Sequence, residues 1–155
     1  MGHSSYGITT GERFYSLERD RYYDFRCPIS VIDAGTACTI DFVSSGEHQG
    51  GYIVPGLSLA RNSLTLKTAR IGELADQLYS VKLEPGKNTQ QAAEHGIRMS
   101  LVSMCQRALN NAPSPLDVVV VTGGDSGWLA GHLPDPIMVR PNLVLDGIHR
   151  FFLGL

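Results

Sequence analysis

Four consecutive valines, Val118–Val121, set the tightest limit on what this chain can fold into. An apolar run without alternation suits a strand buried on both faces, and such strands belong to parallel sheets covered by helices. The run starts at Leu116 and stops at Thr122-Gly123-Gly124, which predicts a strand over 116–121 ending in a glycine pair. It is also the longest purely aliphatic stretch, far short of the ~20 residues that a membrane span requires. A chain of 155 residues holds one ordinary domain and can bury ~68–70% of its unfolded surface. Thirteen Lys plus Arg against fifteen Asp plus Glu leaves a net charge of −2, so neither a nucleic acid nor an anionic membrane is expected as a partner. The three cysteines, Cys27, Cys38 and Cys105, are odd in number and form no close pair. That argues against a disulfide framework or a zinc cluster, and with no secretory signal in view the expected location is cytoplasmic.

Around the valine strand the pattern alternates between two periods. Residues 1–28 are polar and aromatic without a clean period and read as a connecting segment, with Met1-Gly2-His3-Ser4 resembling an expression remnant. The domain is expected over 29–155. Ile29–Asp33, Ala37–Val43 and His48–Val54 predict three strands, separated by Ala34-Gly35-Thr36 and Ser44-Ser45-Gly46, as in an antiparallel meander. Helices are expected over Leu57–Ala69 and Asn88–Asn110, with Ile71, Leu74, Ala75 and Leu78 in a further short helix or irregular segment. After the valine strand come a short helix over Ser126–Leu133, a short strand over Ile137–Val139 and a final helix over Leu143–Leu153. The order β-β-β-α-β-α-β-α is an α/β plan, that of a ribonuclease-H-like domain, the unit duplicated in the actin and sugar-kinase superfamily. On order alone, other α/β folds remain open.

Two segments have the composition for phosphate chemistry. In Asp33-Ala34-Gly35-Thr36 an acidic residue at a strand end precedes a tight turn. Gly35 allows a phosphate to approach the backbone, Thr36 adds a hydroxyl, and Asp33 is placed to hold a cation beside them. The same four residues also make a plain hairpin turn, and both readings stand. Thr122-Gly123-Gly124 sits where open α/β sheets bind nucleotides, at the carboxyl end of a strand, although glycines serve ordinary turns there too. Gly124-Asp125-Ser126-Gly127 spells a protease nucleophile motif, but Trp128 replaces the glycine that motif needs next and the chain is too short for that two-barrel fold. Asp20-Arg21 joins a proton acceptor to a guanidinium that can bind a carboxylate bidentately, and it is equally an ordinary surface pair. Thr89, in Gly86-Lys87-Asn88-Thr89, opens a helix, where capping is the default role.

Taken together, Ile32–Asp41, Gly50–Leu57, Gly86–Thr89, Thr122–Asp125 and Leu143–Gly147 resemble, in that order, the motifs of the type III pantothenate kinases, from about residue 15 onward. The resemblance implies transfer of the ATP γ-phosphoryl group to the hydroxyl of pantothenate, the first step towards coenzyme A. It implies a Gly-x-Asp-Arg motif at Glu18, Arg19, Asp20 and Arg21 that contacts pantothenate, with Asp20 as proton acceptor. It places a potassium or ammonium ion on Asp33, ATP on Gly35, Thr36, Thr122, Gly123 and Gly124 with Mg accompanying the nucleotide, and Thr89 in the substrate site. A homodimer with its substrate sites near the interface is also implied.

Two departures from the family pattern shape the expectation. Glu18 stands where the family has glycine, adding negative charge beside a site for an anionic substrate. Nothing upstream of Asp33 matches the Asp-x-Gly-Asn-Thr turn that opens the family's first domain, so the 155 residues correspond to its second domain with the connecting segment. Alone they are expected to fold without turning over substrate. The alternative is a non-catalytic member of the same fold, an accessory-factor type of binding or regulatory protein.

Overall fold

The computed structural model describes residues 27–67 and 83–153. They form a mixed sheet of five strands in the order β3-β2-β1-β4-β5. Strands β1 (Ile29–Ala34), β2 (Ala37–Ser44) and β3 (Glu47–Pro55) make the expected antiparallel meander. Helices α1 (Leu57–Lys67) and α2 (Thr89–Asn110) carry the chain to β4 (Val118–Thr122), which lies parallel to β1. The helix α3 (Ser126–Ala130) leads to the parallel edge strand β5 (Ile137–Val139), and α4 (Leu143–Leu153) follows. Both helices expected between the meander and β4 are present, and only the shorthand order β-β-β-α-β-α-β-α counts them as one; Ile71–Leu78 lies outside the described residues. The short helix also ends early, at Ala130 rather than Leu133, and tighter turns follow it, His132 N–H donating to Leu129 O at 2.9 Å and Leu133 N–H to Ala130 O at 3.2 Å.

The valine strand is buried along its whole length, as its composition demands. Val119 and Val121 join Ile32, Ala34, Cys38 and Ile40 in a core roofed by Leu57 of α1, Ile97, Leu101 and Cys105 of α2 and Leu129 of α3. Val118 and Val120 turn to the opposite face with Cys27 and Ile29, where Leu143 of α4 packs. Strand β3, at the free edge, is exposed over most of its length because it has only one neighbour to cover it. This arrangement is the α/β plan of a ribonuclease-H-like domain. The carboxyl ends of β1 and β4 stand side by side at its centre, with Asp33 opposite Thr122.

Candidate functional site

Those two adjacent strand ends build the site. After β1 the chain turns through Gly35 and Thr36, closed by Gly35 N–H donating to Ala37 O at 3.1 Å. The end of β3 braces it: Gly56 N–H donates to Thr36 O at 2.9 Å. A Cβ on Gly56 would lie 2.0 Å from Gly35 O, so only glycine lets the chain pass there.

After β4 the chain turns through Gly123 and Gly124, and the two turns interlock. Asp125 N–H donates to Ala34 O at 3.0 Å. Gly123 has φ +90, and a Cβ there would stand 2.5 Å from both Ala34 O and Asp33 Oδ1. Asp33 Oδ1 also stands 3.6 Å from where a Cβ of Gly35 would be, so the carboxylate lies between the two glycine turns. It makes no hydrogen bond among the described residues. A half-buried carboxylate beside backbone turns has the donor chemistry for a hard cation. Among the described residues no three His, Cys, Asp or Glu side chains gather as a metal cluster.

The sequence-derived residues divide into three groups. Asp33, Gly35, Gly123 and Gly124 are brought together, with Thr36 exposed on the same turn. Thr122 belongs to the same strand end, but it is buried and its hydroxyl points to Pro141 O at 3.5 Å, which leaves Gly124 as the exposed part of its turn. Thr89 lies elsewhere. It is exposed at the start of α2, and the cap is its neighbour: Asn88 Oδ1 accepts from Gln91 N–H at 2.9 Å. Cys105 of the same helix hydrogen-bonds Cys38 beneath the turns. Thr89 is sixteen residues upstream of Cys105, roughly 24 Å along the helix axis, and does not join the Asp33 turn. Glu18, Arg19, Asp20 and Arg21 lie outside the described residues.

Beneath the turns the hydrogen bond to Cys105, burial and the charges of Asp33 and Asp125 push the Cys38 thiol well above its usual range. Fully buried there, it lies in the floor of the site as a neutral thiol. The sequence reading missed a buried ionic cluster of Arg61, Glu94 and Arg98 against Trp128. Its signal was present: Glu94 and Arg98 recur at i and i+4 in line with Leu101 and Cys105, on the face of α2 that enters the core.

A family model described as type III pantothenate kinase matches residues 19–111, which include Asp20, Asp33, Thr36 and Thr89. The chain belongs to the type III pantothenate kinase family. Type III pantothenate kinases of Acinetobacter baylyi and Marinobacter nauticus are 40% and 39% identical to it, over 79% and 81% of this chain. That of Chromohalobacter salexigens is 38% identical over 78%. These alignments cover 49%, 52% and 45% of the relatives, so the chain spans about half the length of the type III pantothenate kinases it matches. Among solved structures, a conserved Campylobacter jejuni protein assigned to the Baf family of transcriptional activators superposes with a TM-score of 0.65 at 22% identity, over 99% of this chain and 68% of its own. The Alp12 filament protein does so with a TM-score of 0.52 at 14% identity, over 86% of this chain and 48% of its own. At those identities the likeness is one of fold.

Proposed function

We propose that this chain supplies the nucleotide-phosphate and cation wall of a pantothenate kinase that transfers the γ-phosphoryl group of ATP to the pantothenate hydroxyl. The observation that carries the reading is the Asp33 carboxylate set between the interlocked Gly35 and Gly123 turns. In this reading the open sides of Gly35 and Gly124 leave room for phosphate oxygens, Gly123 shapes the turn by packing against Ala34 O and Asp33 Oδ1, and the Thr36 hydroxyl donates to a phosphate oxygen. Asp33 holds a potassium or ammonium ion, and Mg travels with the nucleotide; such cations supply positive charge against the phosphates. Asp20 accepts the proton of the pantothenate hydroxyl as its oxygen bonds to the γ-phosphorus and ADP leaves. Arg21 and Arg19 bind the pantothenate carboxylate. Thr89 is too far along α2 to reach its own chain's turn, so the homodimer is the arrangement in which it serves a substrate site. A cytoplasmic location fits these substrates.

Phosphoryl transfer depends on positioning and charge stabilisation from both sides of the nucleotide. The test is coupled ADP release with ATP, pantothenate and potassium. It is run on the chain alone and on the chain fused to the N-terminal half of the Acinetobacter baylyi relative. The fusion is expected to turn over, and its Asp20→Asn form to lose about 10²–10⁴ in rate. The chain alone is expected to melt cooperatively and bind ATP without releasing ADP. A folded, ATP-binding fusion with no pantothenate-dependent ADP release overturns the kinase reading. Glu18 favours the second reading, a binding or regulatory protein of this fold, and that outcome would support it.

A further inference from the structure

Four residues that the proposed chemistry leaves unused form one cluster. Glu94 of α2 holds Arg61 of α1 at two points, Arg61 Nε donating to Oε1 at 2.6 Å and Arg61 Nη2 to Oε2 at 3.2 Å. The same Oε2 stands 3.9 Å from Arg98 Nε, one turn along α2. Arg98 is fully buried, and its guanidinium carbon lies 4.9 Å from the centre of a Trp128 ring on α3. A guanidinium taken out of water is costly unless carboxylates and aromatic faces offset the loss, so this position is chemically specified rather than filler. Its level in the fold bears on the site. Cys105 meets Cys38, which pairs with Ala34 at the end of β1. Arg98 is seven residues upstream, roughly 10 Å further along the axis of α2, past the strand ends and towards the turns. Trp128 follows Asp125 by three residues, and Leu129 N–H donates to Asp125 O at 3.0 Å. Arg98 therefore grips the short helix that continues the Gly123–Asp125 turn.

Resting on the nucleotide reading above, we propose that Arg98 is a positioning residue for ATP, fixing α3 through the face of Trp128 and thereby holding the Gly123–Asp125 turn against β1. Helix α3 has only five residues, too few to set its own position by internal hydrogen bonds. Its turn is tied to β1 by the bond from Asp125 N–H to Ala34 O, and its far side is tied to α2 by Arg98. Arg98 touches no substrate in this scheme. Removing it leaves Glu94 still paired with Arg61, so no unpaired buried carboxylate is created and Arg98→Met can fold.

The test titrates Mg-ATP into the 155-residue chain, reading heat for binding and the emission of Trp128, the single tryptophan, for the position of α3. The wild type is expected to bind with a shift in emission. Arg98→Met should melt cooperatively, bind about thirtyfold more weakly and lose the emission shift, the scale of a desolvated cation–π contact. Arg98→Lys should rescue little, because an ammonium lacks the planar stack. If Arg98→Met does not melt cooperatively, Trp128→Phe against Trp128→Leu decides by heat alone. Affinity kept by Phe and lost by Leu is expected, and equal affinity overturns the inference. ATP binding and emission unchanged in a folded Arg98→Met overturn the inference while leaving the nucleotide reading intact. No ATP binding by the wild-type chain removes this inference, whereas the kinase reading is decided by turnover of the fusion.

Discussion

The Asp33 turn and the start of α2 are built on opposite plans. At Asp33, two neighbouring parallel strands end together, and their turns are locked by main-chain hydrogen bonds and by glycines with no room for a Cβ. At Thr89, one helix begins with an exposed hydroxyl, stabilised by the side chain of the residue before it. The first place is specified by backbone geometry inside the chain. The second is a surface position whose chemistry depends on what is set against it. A substitution at the strand ends should therefore act first on the fold or the phosphates, and one at the helix start on the second substrate.

The largest effect is expected at Gly123. Alanine there meets a positive φ and a Cβ 2.5 Å from both Ala34 O and Asp33 Oδ1, so the two turns must separate. Gly123→Ala should cost about 3 kcal/mol or more in urea unfolding and abolish ATP binding. A variant as stable as the wild type would mean that the interlock is not what holds the strand ends.

Asp33→Asn breaks the comparison differently. The amide fits the same space, so stability should stay within about 0.5 kcal/mol. Turnover by the fused enzyme should fall about 10²-fold, and its dependence on potassium should weaken, since a neutral amide holds a cation poorly. Equal activity of the unsubstituted fusion in potassium and in sodium would return Asp33 to a turn residue.

How much of this was legible follows from where the information sits. Strand and helix periods are local, and Val118–Val121 with its glycine stop marked the one strand that had to be buried on both faces. That Asp33 and Thr122 each close a strand was legible locally, but their standing side by side belongs to the sheet. That the carboxylate lies between Gly35 and Gly123 is a tertiary fact no spacing contains. The distance of Thr89 was hidden for a related reason: sequence groups residues by motif, whereas a 22-residue helix carries its two ends roughly 33 Å apart. The Arg61–Glu94–Arg98 cluster escaped because apolar periodicity passes over charged residues on a core-facing stripe. Arg61 and Glu94 are 33 positions apart, and only the packing of α1 on α2 shows them paired.

The smallest effect sharpens the helix end of the comparison. Asn88 and Thr89 are adjacent, and either residue type can cap a helix, so sequence alone assigns the cap poorly. In the fold Asn88 has extended backbone, φ −145 and ψ 171, and its Oδ1 accepts from Gln91 N–H, whereas the Thr89 hydroxyl makes no hydrogen bond among the described residues. Asn88→Ala should therefore cost about 1 kcal/mol in unfolding free energy. Thr89→Ala should change stability by no more than about 0.5 kcal/mol, as at an ordinary surface position. The catalytic consequences should run the other way. In the fused enzyme Thr89→Ala is expected to raise KM for pantothenate with KM for ATP unchanged, because Thr89 lies far from its own chain's phosphate turns. Matched urea denaturation and two-substrate kinetics on both variants decide it. If Thr89→Ala weakened ATP and pantothenate alike, the helix start and the strand ends would act as one site within a chain, and the division between them would fail.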